Sequence, residues 1–227
     1  MFISRVEKTR VKIGHIPALV FEPIDKKAQG HIIHYHGWGS KKENHSLVAS
    51  ALAAAGFMVL VPDGLYHGER GPFEEEDETL LPDVILSNLR EFPLLSSYLK
   101  AEKLYLTGHS MGSMSAGVIF HQEKTVDAAI IINGYLSYKD LDLDMEVPKE
   151  LLEVDPIDFL ANVKDRHLLI LHGDADSSVD IKVQREYVKK AQAYYKPGHL
   201  IMEEIPSLNH YVTVAMLARM IDYLSHL

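Results

Sequence analysis

The chain has 227 residues, of which 47% are hydrophobic and 24% are charged, a composition typical of a globular protein rather than of a disordered, collagenous or coiled-coil chain. Its 23 Lys and Arg against 32 Asp and Glu give a net charge of −9, which argues against nucleic-acid binding and against attraction to an anionic membrane. The absence of cysteine excludes disulfides, thiolate metal sites and cysteine nucleophiles.

Short apolar runs alternate with amphipathic stretches along the chain. The apolar runs predict a strand pair over residues 11–23 that turns near Gly14, followed by strands at 32–35, 57–61, 103–107, 128–132, 167–171 and 199–205. Helical spacing of apolar residues predicts helices over 42–55, 110–121, 180–193 and 212–224. This alternation is typical of a parallel sheet covered on both faces, in which functional groups gather at the carboxyl ends of the strands.

Three segments fit the alternation less well. Residues 69–78 are strongly acidic and predict a solvated loop or the start of a helix. Residues 79–99 have a helical pattern that Pro82 and Pro93 are predicted to interrupt. Residues 134–163 lack periodicity and predict a small lid inserted over the strand ends of an otherwise single domain spanning residues 1–227. The shape of a substrate pocket would depend on the last two segments.

The stretch Gly108-His109-Ser110-Met111-Gly112 has the form G-x-S-x-G between a predicted strand and a predicted helix. A serine on such a sharp turn needs strained backbone to project its hydroxyl from the sheet, and the flanking glycines avoid collisions of a Cβ with neighbouring backbone. The helix N-terminus places partial positive charge where an oxyanion would develop. Ser110 is therefore predicted to be a nucleophile; the alternative is the N-cap of a glycine-flanked helix.

In this context the stretch resembles the nucleophile elbow of the α/β-hydrolase superfamily, over about residues 30–227, and is most similar to the small serine esterases of the dienelactone-hydrolase and prolyl-oligopeptidase-like branch. The resemblance implies a mostly parallel sheet of about eight strands with helices on both faces, and a triad in the order serine, acid, histidine. Dienelactone hydrolases themselves use a cysteine nucleophile, which this chain lacks, so dienelactone is not the implied substrate.

The resemblance also implies the other two triad residues. Residues 172–179, HGDADSSV, match the family's H-G-x-x-D-x-x-V turn, which makes Asp176 the acid and leaves Asp174 as the alternative. His210, in the loop before the last predicted helix, corresponds to the general base, the alternative being a surface histidine. The acid would hold the tautomer of the base, which takes the serine proton and returns it to the leaving group.

Residues 36–39, His-Gly-Trp-Gly, resemble the family's H-G-x-G turn, which supplies one N–H group of the oxyanion hole. The donors implied are the Trp38 N–H and the Met111 N–H, and the simpler alternative is a strand-to-helix turn with a packed tryptophan. Gly37 and His109 are expected to contact the substrate.

Several other polar residues have expected roles. His34 and His36 share one face of a predicted strand, but no third ligand has a clear position, so neither a metal nor another cofactor is expected. Residues 62–68 resemble the family's D-x-x-G-H-G loop, in which Asp63 is expected to fix the loop and His67 to support the site.

The sequence thus predicts a serine hydrolase that cleaves carboxylic esters of small to medium size through an acyl-enzyme on Ser110. A small-peptide or thioester hydrolase, or a lyase or cofactor-free haloperoxidase, stays open with the same residues. A non-catalytic binding protein is the alternative outside enzymes, and the complete set of Ser110, Asp176 and His210 argues against it. With no visible signal peptide or transmembrane run, a cytoplasmic protein with a small-molecule ester as its partner is expected. A homodimer stays open.

Overall fold

The computed structural model describes residues 4–72, 77–139 and 147–227. Within them, eight strands form one sheet: β1 (Val6–Ile13), β2 (Ile16–Pro23), β3 (His31–Tyr35), β4 (Met58–Pro62), β5 (Leu104–His109), β6 (Ala128–Ile132), β7 (His167–Gly173) and β8 (Leu200–Ile205). The same residues contain the helices α1 (Ser46–Ala54), α2 (Leu81–Leu99), α3 (Met111–Gln122), α4 (Lys149–Leu152), α5 (Ile181–Ala191) and α6 (Val214–Ser225).

The strand order is β1-β2-β4-β3-β5-β6-β7-β8. In the described residues, β2 runs antiparallel to both of its neighbours, β1 and β4. The strand pairs from β4 to β8 are all parallel. Because β4 and β5 flank β3 on opposite sides, the strand order reverses beside β3, which is where ligands bind in open α/β sheets. The predicted α/β architecture, with a mostly parallel sheet of about eight strands, is confirmed.

The core lies in two layers, one on each face of the sheet. Adjacent side chains of a strand point to opposite faces. Accordingly, Ile32 and Ile130 pack in the layer beneath α1 and α6, whereas Ile33 and Ile131 pack in the layer beneath α2, α3 and α5. The parallel strands β3 to β7 are buried along almost their whole length, which explains their continuous apolar runs, whereas the edge strand β8 is only half-buried.

The proline positions in α2 correct one prediction. The helix runs without interruption over Leu81–Leu99. Pro82 lies in the first turn, where a backbone N–H would have no partner within the helix. Pro93 lies inside the helix and removes one internal hydrogen bond, at a cost of about 3 kcal/mol. Burial of the neighbouring side chains Phe92 and Leu95 in the core offsets that cost.

The two remaining segments are described in part. In the acidic segment, residues 73–76 lie outside the described residues, and a short 3₁₀ helix, Glu78–Leu80, leads directly into α2. In the predicted lid, residues 140–146 lie outside them, and α4 occupies the part that follows. Whether 134–163 acts as a lid therefore stays a prediction. No helix in the described ranges has both the length and the apolar character to cross a bilayer.

Arg166 closes the C-terminal end of α3. The residue is only 9% exposed, yet its guanidinium donates to main-chain carbonyls rather than to a carboxylate. The Nη1 atom lies 2.5 Å from the Phe120 oxygen and 3.0 Å from the Glu123 oxygen, while Nη2 lies 2.9 Å from the Asn162 oxygen. The positive charge thus faces the negative end of α3, the helix that follows Ser110.

Replacing Arg166 with methionine should therefore lower the free energy of unfolding by about 3 kcal/mol, because several buried carbonyls would lose their donor. Urea denaturation followed by circular dichroism measures the change. The matched control is Arg185→Met, since Arg185 forms only a surface ion pair with Glu204, and we expect a loss below about 1 kcal/mol there. Equal losses in the two variants would contradict the role assigned to Arg166.

Candidate active site

Ser110 lies at the sharp turn between β5 and α3. Its backbone has φ = 55° and ψ = −125°, a conformation that non-glycine residues rarely adopt. The Ser110 N–H donates to the Ile132 carbonyl at 2.9 Å. The Ser113 hydroxyl oxygen accepts the Ile132 N–H at 2.8 Å and lies 2.6 Å from the Gly108 carbonyl. These bonds to β6 hold the strained turn that the sequence predicted.

Gly108 and Gly112 allow α3 to begin directly against the sheet. A Cβ on Gly108 would overlap the backbone of Gly112, and a Cβ on Gly112 would overlap the carbonyl of Tyr35. Backbone atoms cannot yield as the end of a flexible side chain can, so neither position accepts a larger residue without moving the helix. Since Tyr35 ends β3, this close approach also sets the start of α3 beside residues 36–39.

Asp176 and His210 are in direct contact. The Asp176 Oδ2 atom lies 2.7 Å from the His210 Nδ1 atom, and the Oδ1 atom accepts the N–H groups of Ser178 and Val179, each at 2.9 Å. The Asp176 side chain is fully buried and that of His210 is 20% exposed. Burial alone would raise the pKa of Asp176, but the hydrogen bonds from His210 and the two N–H groups outweigh it and hold this pKa below its usual value.

Asp174 has a different role. Its carboxylate accepts the N–H of Ser207 at 2.6 Å, at a residue with φ = 57° in the turn after β8. The structure therefore brings Asp176, and not Asp174, to the histidine. Strands β7 and β8 pair in parallel as far as Gly173 and Ile205. The loop after β7, which holds both aspartates, therefore lies beside the loop after β8, which holds His210.

Two asparagines, which the sequence analysis did not single out, connect the loops of the site. The buried Asn133 follows β6; its Oδ1 atom accepts the Gly173 N–H at 3.1 Å and its Nδ2 atom donates to the Tyr211 carbonyl at 3.3 Å. The Asn209 Oδ1 atom accepts the Ser177 N–H at 2.9 Å. An asparagine directly after a buried strand was the one local signal for Asn133, whose φ of 50° suits that residue type.

His109 and Gly37 lie beneath and beside the serine turn. The rings of His109 and His210 have centroids 4.7 Å apart. Burial, followed by the neighbouring His210, lowers the pKa of His109 to about 4, so its ring is neutral. A Cβ on Gly37 would lie 3.4 Å from the Ser110 Cβ. Neither His109 nor Gly37 belongs to the described lining of the cavity at Ser110, and their contact with substrate stays a prediction.

The loop after β4 supports residues 36–39. The buried Asp63 carboxylate accepts the Lys42 N–H at 3.0 Å and pairs with the buried Lys42 Nζ at 2.5 Å. It also accepts the Glu69 N–H at 3.0 Å, so Asp63 fixes its own loop as expected. From the same loop, the His67 Nε2 atom accepts the Gly39 N–H at 3.1 Å.

A cavity of about 300 Å³ opens beside Ser110. The start of α2 contributes Leu81 and Pro82, and the region 134–163 contributes Tyr135, Tyr138 and Leu151, so both segments shape the pocket. Most of the remaining lining is apolar as well, from Trp38, Met114, Val147, Pro148 and Val179. Its polar lining residues are Ser110, Ser178 and Glu78; within the described ranges, no Lys or Arg lines it.

His34 uses both of its ring nitrogens away from this cavity. The Nδ1 atom lies 2.7 Å from the Thr107 hydroxyl and the Nε2 atom lies 2.7 Å from the His45 Nδ1 atom. Among the described residues, no three His, Cys, Asp or Glu side chains are grouped so as to hold a metal ion. His34 is thus part of a hydrogen-bonded chain within the fold.

The chain is similar in sequence to two bacterial proteins and in fold to a solved structure. The chain is 24% identical over 221 aligned residues to the putative esterase YitV of Bacillus subtilis (strain 168), covering 85% of this chain and 87% of that protein. It is 28% identical over 232 aligned residues to the esterase YjfP of Escherichia coli (strain K12), covering 89% and 91%. The crystal structure of TT1662 from Thermus thermophilus superposes with a TM-score of 0.83 at 22% identity and covers 98% of both chains.

The sequence profile of the dienelactone hydrolase family matches residues 16–202, which is most of the chain. The protein therefore belongs to the dienelactone hydrolase family and is a hydrolase with the α/β-hydrolase fold.

Proposed function

We propose that the protein is a serine esterase in which Ser110, His210 and Asp176 form the catalytic triad. The observation that carries this proposal is the 2.7 Å contact between the buried Asp176 carboxylate and His210 Nδ1. With Nδ1 occupied, Nε2 is the ring nitrogen that can receive the serine proton. The strained turn at Ser110, at the carboxyl edge of the same sheet, supports the serine as the nucleophile.

The reaction follows from these groups. The Ser110 Oγ atom bonds to the ester carbonyl carbon while its proton passes to His210 Nε2. The tetrahedral intermediate then expels the alcohol, which takes that proton, and leaves an acyl group on Ser110. A water molecule gives a proton to His210 Nε2 as its oxygen bonds to the acyl carbon; the bond from that carbon to Ser110 Oγ then breaks, Oγ takes the proton back from His210, and the carboxylic acid leaves. Asp176 stabilises the imidazolium that forms in each step without taking up a proton itself.

The negative charge of each intermediate needs hydrogen-bond donors, and we assign these to the N–H groups of Trp38 and Met111. Met111 is the first residue of α3, where backbone N–H groups have no partner within the helix. Trp38 lines the same cavity as Ser110. One such donor contributes on the order of 3 kcal/mol to lowering the barrier.

The cavity favours uncharged carboxylic esters with acyl groups of modest size. Its volume of about 300 Å³ is at the small end of ligand pockets. Aromatic and aliphatic side chains make up most of its lining. The phosphates of a coenzyme A thioester would need cationic partners, and the described lining holds the Glu78 carboxylate instead. The esterase names of the two bacterial relatives agree with this choice.

The test combines substrate profiling with active-site labelling. We expect p-nitrophenyl esters from acetate to dodecanoate to be hydrolysed, with the optimum among the shorter chains. A fluorophosphonate should add its phosphonyl mass to the peptide that contains Ser110. Ser110→Ala should lose both label and turnover. Ser178→Ala is the matched control at the other serine of the cavity and should keep the label. Labelling elsewhere, or turnover by Ser110→Ala, would refute the assignment.

A further inference from the structure

The peptide group between Gly37 and Trp38 is held by its carbonyl oxygen. The His36 Nδ1 atom lies 2.8 Å from the Gly37 oxygen. The Ser40 N–H donates to the same oxygen at 3.2 Å. Both contacts are on the side of the peptide that bears the oxygen, and this peptide also carries the N–H of Trp38.

The partners of His36 determine its tautomer. The Gly64 N–H donates to His36 Nε2 at 2.9 Å, so Nε2 carries no proton. A neutral imidazole has one donor and one acceptor nitrogen, so the proton is on Nδ1 and is donated to the Gly37 oxygen. His36 is 2% exposed. Burial lowers its pKa to about 4, which keeps the ring neutral at neutral pH.

Fixing the Gly37 oxygen also fixes the direction of the Trp38 N–H. A trans peptide is planar, and its C=O and N–H point to opposite edges of the plane; the described residues contain no cis peptide. A hydrogen bond to the carbonyl further polarises the peptide and makes its N–H a stronger donor. Both effects act on the group that would face the developing oxyanion.

We propose that His36 is a positioning residue of the oxyanion hole: its Nδ1–H orients and polarises the Gly37–Trp38 peptide. This inference rests on the proposed function, since it requires the Trp38 N–H to bind the oxyanion. His36 does not belong to the described lining of the cavity, so it acts through the peptide and not on the substrate. Through Nε2 the same ring also connects this peptide to the loop after β4.

A purely structural role would make Nε2, and not Nδ1, the important atom, because Nε2 links the two loops. The two roles can be separated because the amide of asparagine is two bonds from Cβ, as Nδ1 is, whereas the amide of glutamine is three bonds from Cβ, as Nε2 is. His36→Asn therefore keeps a donor near the Gly37 oxygen. His36→Gln keeps an acceptor near the Gly64 N–H and loses that donor.

We expect His36→Gln to lower kcat for a p-nitrophenyl ester by about 10- to 100-fold with KM within about twofold of the wild-type value, because losing an oxyanion donor altogether costs about 100- to 1,000-fold. His36→Asn should stay within about threefold in kcat. The affinity for an alkyl trifluoromethyl ketone, whose adduct with the serine carries an oxyanion, should fall in His36→Gln by about the same factor as kcat. A structural linker would not produce this pattern.

Equal losses in the two variants, a loss confined to KM, or unchanged ketone affinity in His36→Gln would overturn the proposal. Thermal unfolding of each variant shows whether it is folded. If His36→Gln does not fold, the test rests on kcat and ketone affinity of His36→Asn, because a large loss in that variant contradicts the role of Nδ1. The Ser110→Ala variant distinguishes a failure of the proposed esterase mechanism from a failure of the role proposed for His36. Turnover by Ser110→Ala refutes the esterase mechanism, whereas an inactive Ser110→Ala with an unaffected His36→Gln refutes this inference only.

Discussion

Replacing Asp176 with asparagine should lower kcat for ester hydrolysis by a factor on the order of 10⁴. The contacts of the carboxylate explain why. Its Oδ1 atom accepts two backbone N–H groups, from Ser178 and Val179, so the amide oxygen of asparagine will occupy that position. The amide NH₂ then faces His210 Nδ1, which must become the acceptor. The histidine proton moves to Nε2, and Nε2 can no longer take the proton of Ser110.

Asp174→Asn is the matched control, two residues away in the same loop. Asp174 accepts only the Ser207 N–H among the hydrogen bonds that the structure records for its side chain, and an amide oxygen can do the same. We expect kcat to stay within about threefold of the wild-type value, an allowance for a small shift of the loop. Steady-state hydrolysis of p-nitrophenyl butyrate measures kcat of both variants, and Ser110→Ala gives the background rate. A large loss in Asp174→Asn with a small one in Asp176→Asn would show that the acid is Asp174.

The residues that sequence analysis could place are those whose signal is local. The turn at Ser110 is encoded within five residues, because the strand, the glycines and the following helix are adjacent in the chain. Asp176 and His210 were predicted from a resemblance in sequence pattern. The hydrogen bonds that connect their two loops could not be predicted, because Asn133 bonds partners 40 and 78 residues away. No spacing rule connects positions so distant.

The interruption predicted at Pro93 was wrong for a related reason. Local propensity makes a proline inside a helix unfavourable, but it does not include tertiary burial. Phe92 and Leu95, on either side of Pro93, bury their side chains in the core. Tertiary packing outweighed a local preference of about 3 kcal/mol. The lid predicted over 134–163 had no local pattern at all. Only the contacts of Tyr138 and Leu151 with the cavity show that this segment shapes the pocket.

Acid should unfold the protein steeply below about pH 6, because several buried or half-buried histidines are held in neutral form. Burial is the largest cause of a lowered pKa in each case, to about 4 for His36 and His109 and to about 3 for His45 and His121. The unfolded chain binds these protons with a pKa near 6.5. The free energy of unfolding therefore keeps its full value above about pH 6.5 and decreases as the pH falls towards the pKa values of these histidines in the folded state.

The expected size of the effect is large for a protein of this length. Each histidine that stays neutral in the folded state costs about 1.4 kcal/mol of stability per pH unit below its unfolded pKa, so the four together cost about 5.6 kcal/mol per unit. A typical domain has only about 5–15 kcal/mol of stability in total. We therefore expect unfolding to be complete between about pH 5 and pH 4 at room temperature.

Urea denaturation at a series of pH values from about 5 to 7.5 measures this slope, which should reach an uptake of at least about four protons on unfolding, because burial also lowers the pKa of His34. His121→Gln should reduce it by about one proton, because the His121 ring is fully buried and its partners, the Gly117 carbonyl and the Tyr187 hydroxyl, offer it no negative charge. The control is His226→Gln, at a side chain that is 77% exposed; burial of the His121 ring is the cause only if His121→Gln changes the slope more than this control does. An uptake of one proton or fewer in the wild type would mean that the buried histidines are charged in the folded state, with water or anions reaching a core that the structure shows as closed.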